Sequence, residues 1–292
     1  MFNHIQTKTF GGPIAISDLK TYSFPHTGLG YLSVKRAMAS IAARKKAFYQ
    51  MLQQWGWLNT SLFMLNRILA VISGGRLRLY RYHLIAQPVA KAAFLPPGRG
   101  KKIEIRLVQE HDEIIKEFPR PVKAIQARFR QGAQCLVALK EGQFVGFLWL
   151  LIGNYEEDEV RARFIPLPEG QAAWDFDVYV APDFRLGLTF LRLWDQANRI
   201  LCDNGILWSC SRISAFNTGS LGAHARLGTL SLGSAIFFCA GQSQITLASV
   251  SPYFHLSRYS GSSPEFRLNT RELQITRSAH TTNPSWSDHA AP

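Results

Sequence analysis

Two aspartates on a short apolar run are the first residues in this sequence that could move a proton. Asp175 and Asp177 stand two apart in residues 174–180 (WDFDVYV). The run alternates as a strand, so both carboxylates fall on one face. Lining a cleft, one could act as general base while the other orients an acceptor amine; on a plain sheet surface they would be hydrogen-bonded structural acids. The run ends in Ala181-Pro182-Asp183 and feeds a helix near Arg185-Leu186-Gly187. A helix start offers unpaired backbone N–H groups and the positive end of the dipole, which suits an anion such as a pyrophosphate. A second strand-to-helix junction follows in SRISAFNTGSLGAHARLG. Asn217 has the type and place of a helix cap, and Asn217, Ser220 and His224 recur at helical spacing on one face. A histidine there can carry a proton near neutral pH.

The elements that must position these residues follow from periodicity and turn chemistry. Residues 103–108 alternate as a strand, 110–118 and 122–130 read as short helices, and 134–139 with 143–152 form a hairpin about Glu141-Gly142. After an acidic loop, in which Glu156, Glu157, Asp158 and Glu159 read as a solvated turn, come the strand 174–180 and a helix over 184–204. A strand at 206–213, a helix at 218–227 and closing strands at 234–240 and 244–249 complete the run. This order describes an α/β (α+β) domain with a mixed, mostly antiparallel central sheet flanked by helices over 101–258.

Ahead of it, residues 33–73 hold no proline and repeat apolar residues at helical spacing, as one helix or as two broken near Gly56. Residues 76–82 (RLRLYRY) alternate as a strand with one wet face, and 94–102 (FLPPGRGKK) read as a linker. Residues 33–100 are thus an added basic helical segment plus a strand. The ends, 1–32 and 259–292, read as a disordered arm and tail.

Charge is distributed unevenly. Residues 1–101 carry 14 Lys and Arg against the single acid Asp18, while the remainder carries 19 of each sign. An acidic partner should therefore meet the N-terminal third. The helix face with Lys35, Arg36, Arg44, Lys45 and Lys46 suits an anionic membrane surface, or else it packs on the domain with its lysines in water. Four scattered cysteines and the lack of a secretory signal suggest a reducing, cytoplasmic setting, at most peripheral to the membrane. No histidine or cysteine spacing suggests a metal, and the tryptophans sit on apolar elements, which makes nucleic acid a poor partner.

The two junctions resemble those of the GNAT superfamily of acyl-CoA-dependent N-acyltransferases, in which V-x-P-x-x-R-G-x-G-x-G opens a helix and N-x-x-A-x-x-x-Y-x-x-x-G-F follows the next strand. Val180, Pro182 and Arg185 match the first pattern, and Asn217, Ser220, His224, Leu227 and Gly228 lie at the spacings of the second. The resemblance covers about half of the chain and implies a GNAT-like sheet using acetyl-CoA or another acyl-CoA as donor, with direct attack by an acceptor amine. It implies further that amides of Arg185, Leu186, Gly187, Leu188 and Thr189 hold the CoA pyrophosphate. Backbone from Asp177 through Tyr179 to Val180 would line the pantetheine, Asn217 and Ser220 would lie near it, and His224 would protonate the leaving thiolate. Leu188 and Phe190 stand where that family carries glycines, which leaves an acidic acyl carrier protein open as an alternative donor, docked on residues 33–101.

Overall fold

The computed structural model describes residues 30–259 and 261–273, with side chains from residue 45 onward. The expected N-terminal arm up to residue 29, the side chains of Lys35, Arg36 and Arg44, and the tail beyond 273 lie outside the described residues. In chain order the elements are α1 (Gly30–Ile72), β1 (Leu77–Pro88), β2 (Ile103–Val108), α2 (Val122–Arg130), β3 (Gln134–Lys140), β4 (Gln143–Leu151), β5 (Tyr155–Glu156), β6 (Arg163–Leu167), β7 (Ala172–Val180), α3 (Thr189–Asp203), β8 (Trp208–Ser214), α4 (Thr218–Ala225), β9 (Leu230–Ala240), β10 (Ser243–Ala248), β11 (Phe254–Ser257) and β12 (Glu265–Asn269).

Local chemistry accounts for several of these. Glu141 and Gly142 both take positive φ, 53° and 81°, the geometry of a two-residue turn whose twist matches its strands. β4 (QFVGFLWLL) is buried along all but its first residue, as a near-continuous apolar run at the centre of a sheet requires. α3 buries Leu193, Trp194, Ala197 and Leu201, one stripe at helical spacing. Helix α1 breaks at Gly56 (φ 72°, ψ 169°), where the chain takes a conformation that costs glycine little. Residues 110–118 contain only a 3-10 turn, Glu113–Glu117, opened by the Asp112 side chain.

Nine strands form one sheet in the order β11-β10-β9-β1-β8-β7-β4-β3-β2, and β12, β6 and β5 form a second. In the large sheet every pairing is antiparallel except β7 with β8. The mixed sheet flanked by helices is thus present, with two boundaries moved. β1 lies between β8 and β9, paired along most of its length to both, so the sheet is incomplete without a segment that sequence periodicity leaves outside it. β12, placed by composition in a disordered tail, pairs with β6 and buries Phe266 and Leu268.

The large sheet has two differently furnished faces. One packs under α2 and the second sheet, around Trp149, Trp174, Phe147 and Phe164. The other packs under α3, around Leu148, Leu193 and Trp194, and we call it the helix face.

Candidate functional site

β7 and β8 pair over three residues only: Ala172 with Trp208, Ala173 with Ser209, Trp174 with Cys210. Beyond that point β7 follows β4 to Val180 and β8 follows β1 to Ser214. Two parallel neighbours that part company leave a V between their carboxyl ends, with a helix starting from each arm, the usual place for a ligand in an open α/β sheet.

A bulge sits in the β7 arm of this V. Phe147 pairs with Tyr179 and Trp149 with Phe176, so Asp177 and Val178 together oppose Leu148. Asp177 has φ 47°, the left-handed region that aspartate enters more readily than most residues. The extra residue overturns the expectation that both aspartates share a face. Asp177 turns toward the face of Phe176, where Arg128 donates to it at 2.5 Å and Arg120 does so through Nε at 2.7 Å. Burial pushes the Asp177 carboxyl up, but Arg128 and Arg120 outweigh it and hold the group below the usual carboxylate range. An anion clamped by two guanidiniums is a poor base; its place is to hold the bulge.

Asp175 stays on the helix face. It is fully buried at the vertex of the V, accepting from Ser209 Oγ at 2.5 Å. Burial pushes its carboxyl up to about 7, partly offset by the hydrogen bond from Ser209 and the nearby Ser211 hydroxyl, which favour the ionised form. Of the two candidates, this one can exchange a proton near neutral pH.

His224 does not face the opening. Only 3% exposed, it packs edge-on between Phe190 and Trp194 of α3, and its Nδ1 donates to Gln87 Oε1 of β1 at 3.3 Å. Burial pushes the imidazole down to about 4, so it is neutral at physiological pH and ill suited to protonate a thiolate. Gln87 pairs in register with Ser209, so Asp175, Ser209, Gln87 and His224 make a polar line under α3, inside an otherwise apolar layer. Sequence inspection misses Gln87 because it comes from a strand outside the apparent domain.

At the mouth of the V, α3 begins without a side-chain cap at Leu188. Its first-turn amides, from Thr189 on, therefore have no partner within the helix. The preceding loop is less free: Arg185 N–H donates to Pro182 O, Gly187 N–H to Phe184 O, and Arg185 Nε to Val180 O. Leu186 is wholly exposed at the loop tip. The Thr189 side chain is buried, its methyl facing Gly146, where a Cβ would stand 2.5 Å from Tyr179 O. Tyr179 stacks on Phe147 and Phe144. Asn217 Oδ1 accepts from Ser220 N–H at 3.0 Å, so α4 is capped by the residue expected to approach a ligand. Two hollows of about 200 and 270 Å³ flank Lys91 and Cys202, toward the far end of α3.

The acidic loop is only in part a solvated turn: Glu156 and Asp158 are exposed, whereas the Glu157 side chain is buried and Glu159 half-buried. Arg212 donates to Glu157 at 2.7 Å through Nε, Arg128 donates to Asp158 at 2.8 Å, and Tyr82 donates to Glu159. Burial pushes the Glu157 carboxyl up despite Arg212. With Asp177 and Arg120 these groups form one ion-paired layer across β8, α2 and β7.

No protein-family model and no curated protein matches the chain. Several solved structures do match in part. A functionally unknown conserved protein from Staphylococcus epidermidis aligns over 60% of this chain and 67% of its own, at 12% identity and a TM-score of 0.40. An aminoglycoside acetyltransferase from an uncultured soil metagenomic sample aligns over 44% and 88%, at 15% identity and 0.32. A tandem GNAT protein from the clavulanic acid biosynthesis pathway aligns over 58% and 56%, at 12% identity and 0.38, so this chain spans little more than half of that protein.

Proposed function

We propose that the V between β7 and β8 receives an acyl thioester, acetyl-CoA or another acyl-CoA, and that the protein transfers its acyl group to an amine. The observation that carries this reading is that the parallel pairing stops at Trp174. One step past it lies Asp175, a carboxyl able to exchange a proton near pH 7, and the uncapped start of α3 lies at the mouth. The donor's phosphates would meet the first-turn amides of α3, which with the dipole favour an anion. Its amide-bearing arm would run along the β7 backbone from Asp177 to Val180. The acceptor nitrogen attacks the thioester carbonyl, the C–N bond forms, the C–S bond breaks, and the thiolate leaves. Asp175, with Ser209 and Ser211 beside it, takes the ammonium proton. His224 keeps a packing role, holding Gln87 against Ser209.

Thermal unfolding with acetyl-CoA, a long-chain acyl-CoA and free CoA tests this. A ligand at about 100 times its dissociation constant should stabilise by roughly 2.7 kcal/mol, and Arg185→Glu should abolish the shift. No shift with any CoA species would overturn a free thioester donor. The loop favours one variant of the reading: Leu186, Leu188 and two internally bonded amides leave few phosphate contacts, which matters less when an acyl carrier protein presents the donor. Turnover from acyl carrier protein alone would establish it. A non-catalytic binding role draws support from the neutral, buried His224; turnover lost in Asp175→Asn would exclude it.

A further inference from the structure

Beside the site, the helix face of β10 and β11 stands exposed among the described residues, and its residue types say what covers it. From Leu227 to Ser257 the chain contains no Lys, Arg, Asp or Glu, although β9, β10 and β11 form one margin of the nine-stranded sheet. On the opposite face these strands are covered: Thr246 and Gln244 are buried, and Gln244 bonds to Arg161 main chain. On the helix face two apolar rows run outward. Leu79, Phe238, Ile245 and Leu256 are in register across four strands, and so are Ile236, Leu247 and Phe254 across three. Ile245, Leu247, Phe254 and Leu256 are 40, 51, 60 and 37% exposed.

Helix α1 lies at the inner end of these rows. Its second half is fixed to β1 by Asn59, which accepts from Arg81, and Asn66, which accepts from Leu79 N–H. The opposite side carries Trp57, Leu58, Met64, Leu65, Ile68, Val71 and Ile72, from 38 to 81% exposed. A helix standing in water is polar on its outer side; this one is apolar there. Around it stand exposed cations, Lys45, Lys46, Arg67 and Arg76, and residues 45–101 contain no acid at all. Exposed Tyr49, Trp57 and Tyr253 add aromatic rings with polar tips.

We propose that the outer side of α1 and the exposed face of β10 and β11 form one surface that docks on an anionic lipid bilayer. Apolar residues enter the headgroup boundary, aromatic residues sit at its level, and the acid-free ring of cations meets lipid phosphates. A second copy of this chain would bring like-charged rings together, which disfavours self-association. No helix of the described residues is long and apolar enough to cross a bilayer, so the contact is with one leaflet. Trp55 and Phe63 of α1 pack on Phe216, next to Asn217, so docking would hold the V near the membrane. The surface stands on its own residues whether or not the V binds a thioester.

The test is flotation of the full chain with vesicles of phosphatidylcholine alone and of phosphatidylcholine mixed with an equal amount of phosphatidylglycerol. Binding is expected to the mixed vesicles and to weaken with added salt. It should fall roughly tenfold or more in each of the pairs Ile68→Glu/Val71→Glu, Leu247→Glu/Phe254→Glu and Lys45→Glu/Lys46→Glu. Unchanged melting of each variant separates loss of contact from loss of fold. In the unaltered protein, brominated lipid should quench tryptophan fluorescence, less so in Trp57→Phe. Absence of flotation with the mixed vesicles overturns the proposal, as does binding insensitive to the sheet pair. So does a dimer in solution that the α1 pair dissociates.

Discussion

Asp175 and Asp177 are two residues apart on one strand and sit in opposite electrostatic settings. Asp177 faces a layer of carboxylates paired with guanidiniums: Arg128 and Arg120 for Asp177, Arg128 for Asp158, Arg212 for Glu157. Asp175 faces the helix layer, where it accepts from the Ser209 hydroxyl. Burial raises both; only Asp177 has cations near enough to reverse the shift. A carboxylate held by cations fixes structure, whereas one held by hydroxyls keeps its proton within reach of neutral pH. The bulge is what separates them.

The largest way to break this contrast is to remove a cation. Arg128→Ala leaves the Asp177 carboxylate in its largely buried place with one cation fewer, and should cost about 3–5 kcal/mol in denaturant unfolding. A loss below about 1 kcal/mol would mean that solvent already screens the layer.

Next in size is Asp175→Asn. The folded protein holds this proton to about 7, against 3.8 for the free group, so stability falls as pH rises through that window. The variant removes the fall, a gain relative to the parent of up to about 4 kcal/mol between acid and pH 8. Titrating the unfolding midpoint of both proteins against pH checks it; parallel curves would refute the assignment.

His224 has the opposite sign. Its folded value near 4 lies below the ordinary 6.5, so the unfolded chain takes up the proton first and stability falls as pH drops through that window. His224→Gln should remove up to about 3 kcal/mol of that acid loss. Between about 4 and 6.5 the two groups oppose each other, so each single variant unmasks the slope of the other.

The smallest effect belongs to the helix starts. Asn217→Ala removes the α4 cap and should cost about 1 kcal/mol, read as faster amide exchange at Ser220.

How much of this was legible in the sequence depends on how far away each partner lies. The 103–108 strand, the 122–130 helix and the Glu141-Gly142 hairpin depend on neighbouring residues, and the structure has them at those positions. The face of Asp177 was not legible, because a bulge is a count of residues against the partner strand. Nor were the burial of the Glu157 side chain and the pairing of Asp158, whose partners Arg212 and Arg128 lie 55 and 30 residues away. β1 reads as a separate strand because its pairing to β8 and β9 leaves no local mark. Spacing put Asn217, Ser220 and His224 on one helix; it could not show that α3 would close over His224.

The most direct measurement is a carbon-13 NMR titration of the aspartate carboxyl groups, with Asp175→Asn and Asp177→Asn to assign the signals. One carboxyl should titrate near pH 7 and vanish in Asp175→Asn, while that of Asp177 stays ionised to the lowest pH at which the protein remains folded. An Asp177 signal titrating in the neutral range, or an Asp175 signal already ionised at pH 5, would contradict the division of roles between the two faces.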